Sequence, residues 1–221
     1  MMASMTMLHH RHNDITSGVL HIVGAGLAIA ALVLMIVFAA KSGGALKVTT
    51  VSIFGAGMIF LYIASAAYHL MPHHRPRAKQ FLRRLDHAMI FVLIAATYTP
   101  ICLVGLGGGW GWSIFGIVWG IAVVGFSIKM LDRHPPMWAS VVMYIAMGWL
   151  ILIAFSPLIH NLSGAALMWL AIGGVIYTSG AALFALDHAL PRIKIFGMHE
   201  WFHLFVIGGS FAHFWMVLLY L

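Results

Sequence analysis

Charge is what this sequence lacks. Only 8% of its 221 residues are Asp, Glu, Lys or Arg, against 62% hydrophobic residues, whereas a soluble domain carries about 25% charged residues. With a mean hydropathy of +1.00, a water-exposed globule is excluded. Acidic residues are the scarcest, five in the whole chain. That is too few to line an aqueous pore, which counts against cytolysis by direct pore formation. Cysteine is all but missing: Cys102 stands alone, so no internal disulfide can form, and its apolar surroundings mark it as a buried structural thiol. No long polar stretch separates the apolar runs, which leaves no room for a soluble domain.

The runs themselves have spanning length, about 17 to 25 residues each. They fall near 16–40, 46–70, 85–105, 110–130, 137–157, 164–187 and 198–220. The expected fold is therefore all-α: a bundle of seven transmembrane helices forming a single domain over 16–221, after a cytoplasmic tail at 1–15. A Gly-rich joint at Gly105–Gly111 and a proline at Pro157 interrupt the pattern. The first run is too long for the 7–15-residue core of a signal peptide and follows a His-rich tail, so it reads as a retained span. Small-residue pairs (Gly24/Gly26, Gly55/Gly57, Gly173/Gly174, Gly208/Gly209) fit close helix packing better than ligand binding. The string Leu-Asp-His-Ala occurs at 85–88 and 186–189; one copy opens a helix and the other closes one, so it is no repeat.

Basic residues set the orientation. Arg11 in the tail, Arg75, Arg77, Lys79, Arg83 and Arg84 in the second loop, Lys129 and Arg133 in the fourth, and Arg192 and Lys194 in the sixth lie on one side. Only Lys41 and Lys47 lie on the other. The N-terminus is thus expected in the cytoplasm and the C-terminus outside, in a multi-pass protein of the cytoplasmic (plasma) membrane. The same distribution accounts for the net charge of +7: cations line one membrane face, where anionic headgroups attract them. The partners expected are membrane lipids, with no nucleic acid.

Against this background a few polar side chains stand out. His199 and His203 in Gly197-Met-His-Glu-Trp-Phe-His203 are i and i+4, one turn apart on one helix face, a spacing that suits a single metal ion. Ionisable groups are costly in a span and usually functional there. The orientation puts His199 at the cytoplasmic boundary and His203 about 6 Å deeper. The second helix ends at the same boundary with Ser65 and His69, again i and i+4. The third begins there with Asp86, expected in its first turn, where the helix dipole favours a carboxylate. Three histidines, a carboxylate and a hydroxyl are so brought to one leaflet. Each has a plainer reading: a hydrogen-bonded core histidine, a helix-end carboxylate, a serine bonded to its own backbone. Their convergence favours a metal site.

Three ordered motifs carry a resemblance. Ser65-Ala-Ala-Tyr-His69, Leu85-Asp86-His87-Ala-Met-Ile-Phe91 continuing to Thr97-Tyr-Thr-Pro100, and His199-Glu-Trp-Phe-His203 leading to Gly209-Ser-Phe-Ala-His213-Phe214 resemble the hemolysin III family. More distantly they resemble the progestin and adiponectin receptor family, both of seven-helix membrane proteins. Thr16-Ser17-Gly18-Val19-Leu20-His21 is similar to the first-helix motif of the bacterial members. The resemblance implies that His69, His199 and His203 are zinc ligands, with Asp86 and Ser65 beside them, and it gives Glu200 no role. The wider superfamily includes ceramidases, which implies hydrolysis of a lipid amide.

Three neutral imidazoles leave Zn²⁺ one open position, as in catalytic zinc sites, where a bound water has a pKa of about 7. Asp86 is the expected general base, with Ser65 orienting a ligand or the substrate oxygen. His213 lies about 21 Å along the axis from His199, too far to share its metal, and His21 sits two turns into the first helix as a neighbour of the site or a headgroup contact. His87 and His188 follow carboxylates at the cytoplasmic face. His9, His10, His12, His73, His74 and His134 are expected in solvent. Three other functions compete with lipid hydrolysis. His199-Glu200-Trp-Phe-His203 is also a literal H-E-x-x-H of metalloproteases, although no Asp or Glu follows it to supply a third ligand. A non-catalytic regulator of membrane lipid state, with zinc holding the bundle, is a second. Cytolysis, which the family name suggests, is the third.

Overall fold

The computed structural model describes residues 2–131, 136–186 and 197–221, with the side chains of 2–13, 137 and 186 left aside. Arg133, His134, His188, Arg192 and Lys194, and the side chains of His9, His10, Arg11 and His12, therefore lie outside the described residues. Every regular element among the described residues is helical: α1 (Met2–Ser42), α2 (Gly44–Leu70), α3 (Pro76–Pro100), a π turn (Ile101–Leu106), α4 (Gly108–Met130), α5 (Met137–Trp149), a 3-10 turn (Leu150–Ala154), α6 (Phe155–Asn161), α7 (Gly164–Leu186) and α8 (Met198–Tyr220). Seven of the described segments are long and apolar enough to cross a membrane: Asp14–Ser42, Gly44–Leu70, Pro76–Leu106, Gly108–Met130, Trp138–Asn161, Gly164–Ala185 and Met198–Tyr220. The seven expected spans are all present.

Two helices start earlier than their apolar runs. α1 is already helical at Met2, through the segment read as a tail. α3 begins at Pro76, not near residue 85. Proline at the first helical position has its ring angle preset and no N–H to leave unpaired. The basic stretch behind it is a good helix former that only fails to look like a span. Asp86 consequently lies ten residues into α3, about 15 Å along its axis, and not in its first turn. The dipole explanation for that carboxylate falls with it.

The two irregular joints have local causes. Pro100 supplies no N–H at the end of α3, and the next turn widens, with Gly107 N–H donating to Cys102 C=O at 2.9 Å. Gly107 and Gly108 then take φ of 62° and 53°, angles that glycine alone adopts without strain. A Cβ on Gly111 would meet the Cys102 carbonyl oxygen. In the fifth span the backbone tightens over Leu150–Ala154, ahead of Pro157, whose ring clashes with the carbonyl four residues back. The Tyr98 hydroxyl takes up the freed groups: it donates between Met147 C=O (3.0 Å) and Gly148 C=O (2.7 Å) and accepts from Ile151 N–H (2.9 Å).

The buried apolar side chains form two clusters. One centres on Phe91, Tyr98, Val118 and Met147, the other on Met35, Phe54, Met58 and Tyr62. Outer faces carry Leu27, Phe60, Val123 and Ile153, all exposed, as expected where lipid is the solvent. Close approach uses both glycines of the Gly55/Gly57 pair and one of each other pair more than its neighbour. A Cβ on Gly24 would crowd Tyr62, one on Gly55 Leu32, one on Gly57 Ala96, one on Gly173 His213, and one on Gly209 Tyr177, whereas Gly26 faces open space. Cys102 is buried, as expected.

Candidate metal centre

The last turn of α2 carries His69, and the chain leaves that helix at Met71 in an extended conformation. α8 starts at Met198 and places His199 and His203 one turn apart. The ligand atoms of the three histidines all lie within 4.8 Å of one another. His69 Nε2 and His199 Nε2 face each other at 3.2 Å, against about 3.3 Å for two nitrogens each 2.0–2.1 Å from a tetrahedral zinc. His203 Nε2 is buried without a hydrogen-bond partner, which costs free energy unless something occupies it. The rings meet edge to face, His203 at 87° to His69 and 90° to His199. The donor set therefore fits a metal ion.

Asp86 and Ser65 are not among the atoms that close on this point. Both are buried, and both line a cavity of about 560 Å³ together with His199 and His203. Asp86 also acts electrostatically on His69. The Ser65 hydroxyl makes no bond to its own backbone; its polar neighbour is the Asp86 carboxylate. The cavity wall is otherwise mostly apolar, running along α3 from Asp86 and Ile90 to Tyr98 and Ile101, with Tyr144, Trp149 and Phe184 opposite. Arg83, Arg84 and Lys129 line the same cavity.

The remaining polar groups sort themselves by distance. Glu200 is 1% exposed, its two oxygens unpartnered, yet it lies outside the histidine group. His213 is buried deeper in α8, stacked on Tyr177 with centroids 5.5 Å apart, and likewise outside the group. His87 lines the cavity, its carbonyl accepting from the Tyr144 hydroxyl. His21 is in contact with the site: its Nε2 lies 2.7 Å from His203 Nδ1. One participant is absent from the sequence reading altogether. Asp14 Oδ1 lies 3.3 Å from His69 Nδ1, while its Oδ2 meets Lys79 Nζ at 2.8 Å and His73 Nε2 at 3.2 Å. His73, expected in solvent, is exposed but paired. The available signal was that Asp14 is one of five acids and sits two helical turns before His21.

A family model described as "Haemolysin-III related" matches residues 9–214. The chain belongs to the haemolysin-III-related family. It is 39% identical over 207 residues to "Hemolysin-3" of Bacillus cereus, covering 94% of this chain and 91% of that one. To the "Hemolysin-3 homolog" of Bacillus subtilis it is 38% identical, covering 94% and 93%. A more distant relative, the human "Monocyte to macrophage differentiation factor", is 27% identical over 180 residues, 78% of this chain and 70% of that one. An adiponectin receptor protein matches more weakly still. The three motifs behind the sequence resemblance all fall inside the span that the haemolysin-III model covers.

Proposed function

We propose that this haemolysin-III-related chain is a zinc-dependent hydrolase of membrane lipids that cleaves an amide bond. The observation that carries the reading is the meeting of three imidazoles, two of them, His199 and His203, lining a largely apolar cavity whose wall also holds a buried carboxylate, Asp86. His69, His199 and His203 would hold the zinc ion, which would supply a Lewis acid and lower the pKa of a bound water to about 7. The remaining work belongs to the chain. The apolar wall accepts the hydrocarbon part of the lipid and excludes bulk water, which strengthens every polar interaction inside. The Ser65 hydroxyl, beside Asp86 on the cavity wall, donates to the substrate carbonyl oxygen. Asp86 accepts a proton on a carboxylate oxygen as the water oxygen bonds to the carbonyl carbon. It returns that proton to the nitrogen as the C–N bond breaks.

A second reading has one observation of its own: Asp86 lies outside the metal-holding group, as a site that only stabilises the bundle would allow. On that reading zinc joins α2 to α8, and the protein senses or regulates lipid state without turnover. Cytolysis, the activity in the names of the Bacillus relatives, has less support because the cavity wall is mostly apolar. Lipid-amide turnover and zinc content, measured together, separate the readings. Asp86→Asn is expected to keep zinc and lose about 10²–10⁴ in rate. Glu200→Gln is expected to stay within about tenfold, because adjacent helical residues point about 100° apart. Zinc-loaded protein inert on every lipid amide supports the sensor, and a dead Glu200→Gln with an active Asp86→Asn overturns the mechanism in favour of the protease.

A further inference from the structure

α1 supplies none of the three histidines, yet it touches two of them on the side away from their meeting point. Asp14 and His21 are seven residues apart, two turns on one face of that helix. Asp14 Oδ1 reaches His69 Nδ1 at 3.3 Å, and His21 Nε2 reaches His203 Nδ1 at 2.7 Å. An imidazole that binds metal through one nitrogen carries its proton on the other, and the acceptor of that proton fixes tautomer and ring orientation. With both Nδ1 protons so engaged, the nitrogens left over are His69 Nε2, which faces His199 Nε2 at 3.2 Å, and His203 Nε2, which is buried with no partner. The free nitrogens are thus the ones that converge.

We infer that Asp14 and His21 are positioning residues for the metal centre, presenting His69 and His203 through their Nε2 atoms and setting the affinity for zinc. The inference rests on the zinc reading above. The two partners differ in kind. Asp14 is a charged acceptor, held in turn by Lys79 Nζ at 2.8 Å and His73 Nε2 at 3.2 Å. Those contacts tie the α2–α3 connection to the same carboxylate. His21 is a neutral acceptor in a buried setting, and accepting on Nε2 places its own proton on Nδ1. It also packs edge-on against Tyr62, centroids 5.1 Å apart. Among the described contacts, His199 has no such partner behind it and rests between Phe184 and Phe202.

The test is zinc affinity of the full chain in detergent, by competition with chelators, alongside the visible spectrum of the cobalt-substituted protein. Asp14→Ala and His21→Leu are expected to weaken zinc about 10- to 100-fold and to change the cobalt bands. Asp14→Asn keeps an acceptor atom without charge, and His21→Gln places an oxygen near the lost Nε2. Each is expected to recover at least half of the lost affinity on a logarithmic scale and the wild-type cobalt spectrum. Affinities within threefold of wild type in both Asp14→Ala and His21→Leu overturn the inference. So does a loss that the conservative variants fail to recover, which assigns these residues to packing alone. Wild-type protein that takes up no zinc removes the metal centre itself, an outcome distinct from either.

Discussion

A histidine inside a membrane helix persists when its ring nitrogens have work to do, because an unengaged polar group there costs several kcal/mol. His69 and His203 each have one nitrogen bonded outward and one turned towards the others. Alanine at position 69, 199 or 203 is therefore expected to abolish stoichiometric zinc in the purified protein, from about one ion per chain. Elemental analysis checks it; full retention in His69→Ala would detach α2 from the site. Residues that break the apolar pattern were the legible ones: the three histidines, Asp86 and Ser65 stand out because their spans are otherwise featureless. Asp14 did not stand out, since it sits at the edge of its span, where a carboxylate is unremarkable. The depth of Asp86 was misjudged for a related reason, its helix starting before its hydrophobicity does.

At the scale of the element, hydropathy located all seven spans because lipid imposes one requirement on each, an apolar surface with every backbone group bonded internally. It did not reveal the π turn after Pro100 or the 3-10 turn before Pro157. A proline marks such places, but the geometry depends on which distant group takes up the freed backbone. For Leu150–Ala154 that group is the Tyr98 hydroxyl, about fifty positions away in sequence. Tyr98→Phe is expected to cost about 0.6–1.7 kcal/mol, from the average to the maximum for side-chain hydrogen bonds in a membrane protein, read as a lower unfolding midpoint in detergent. Gly57→Leu tests the α2–α3 contact, where a Cβ would already press on Ala96. Overpacking of about 1–3 kcal/mol is expected there, and an unchanged midpoint would show that the helices separate freely.

At the scale of the whole molecule, the polar groups of the candidate site come from several helices. Asp14, His69, Lys79, Arg83, Lys129 and His199 lie in the first or last two turns of their spans, at the ends that the distribution of basic residues leads us to expect in the cytoplasm. A reporter fused after Leu221 is accordingly expected to be active only outside the cell, and cytoplasmic activity would invert both the topology and the leaflet of the metal centre. That expectation rests on ten basic residues against two, whereas the cavity has no such signal, because no single helix encodes it. Its wall is assembled from residues of all eight helices α1 to α8. The cavity is lined by His199 and His203 of the candidate metal centre and is otherwise mostly apolar, and it is why the chain is read as a hydrolase of lipids. The most direct test follows lipid-amide cleavage by one preparation as zinc is stripped with a chelator and then restored in measured amounts. Activity should disappear with the metal and return in full at about one zinc per chain; cleavage indifferent to zinc, or none in the fully loaded protein, would contradict the account.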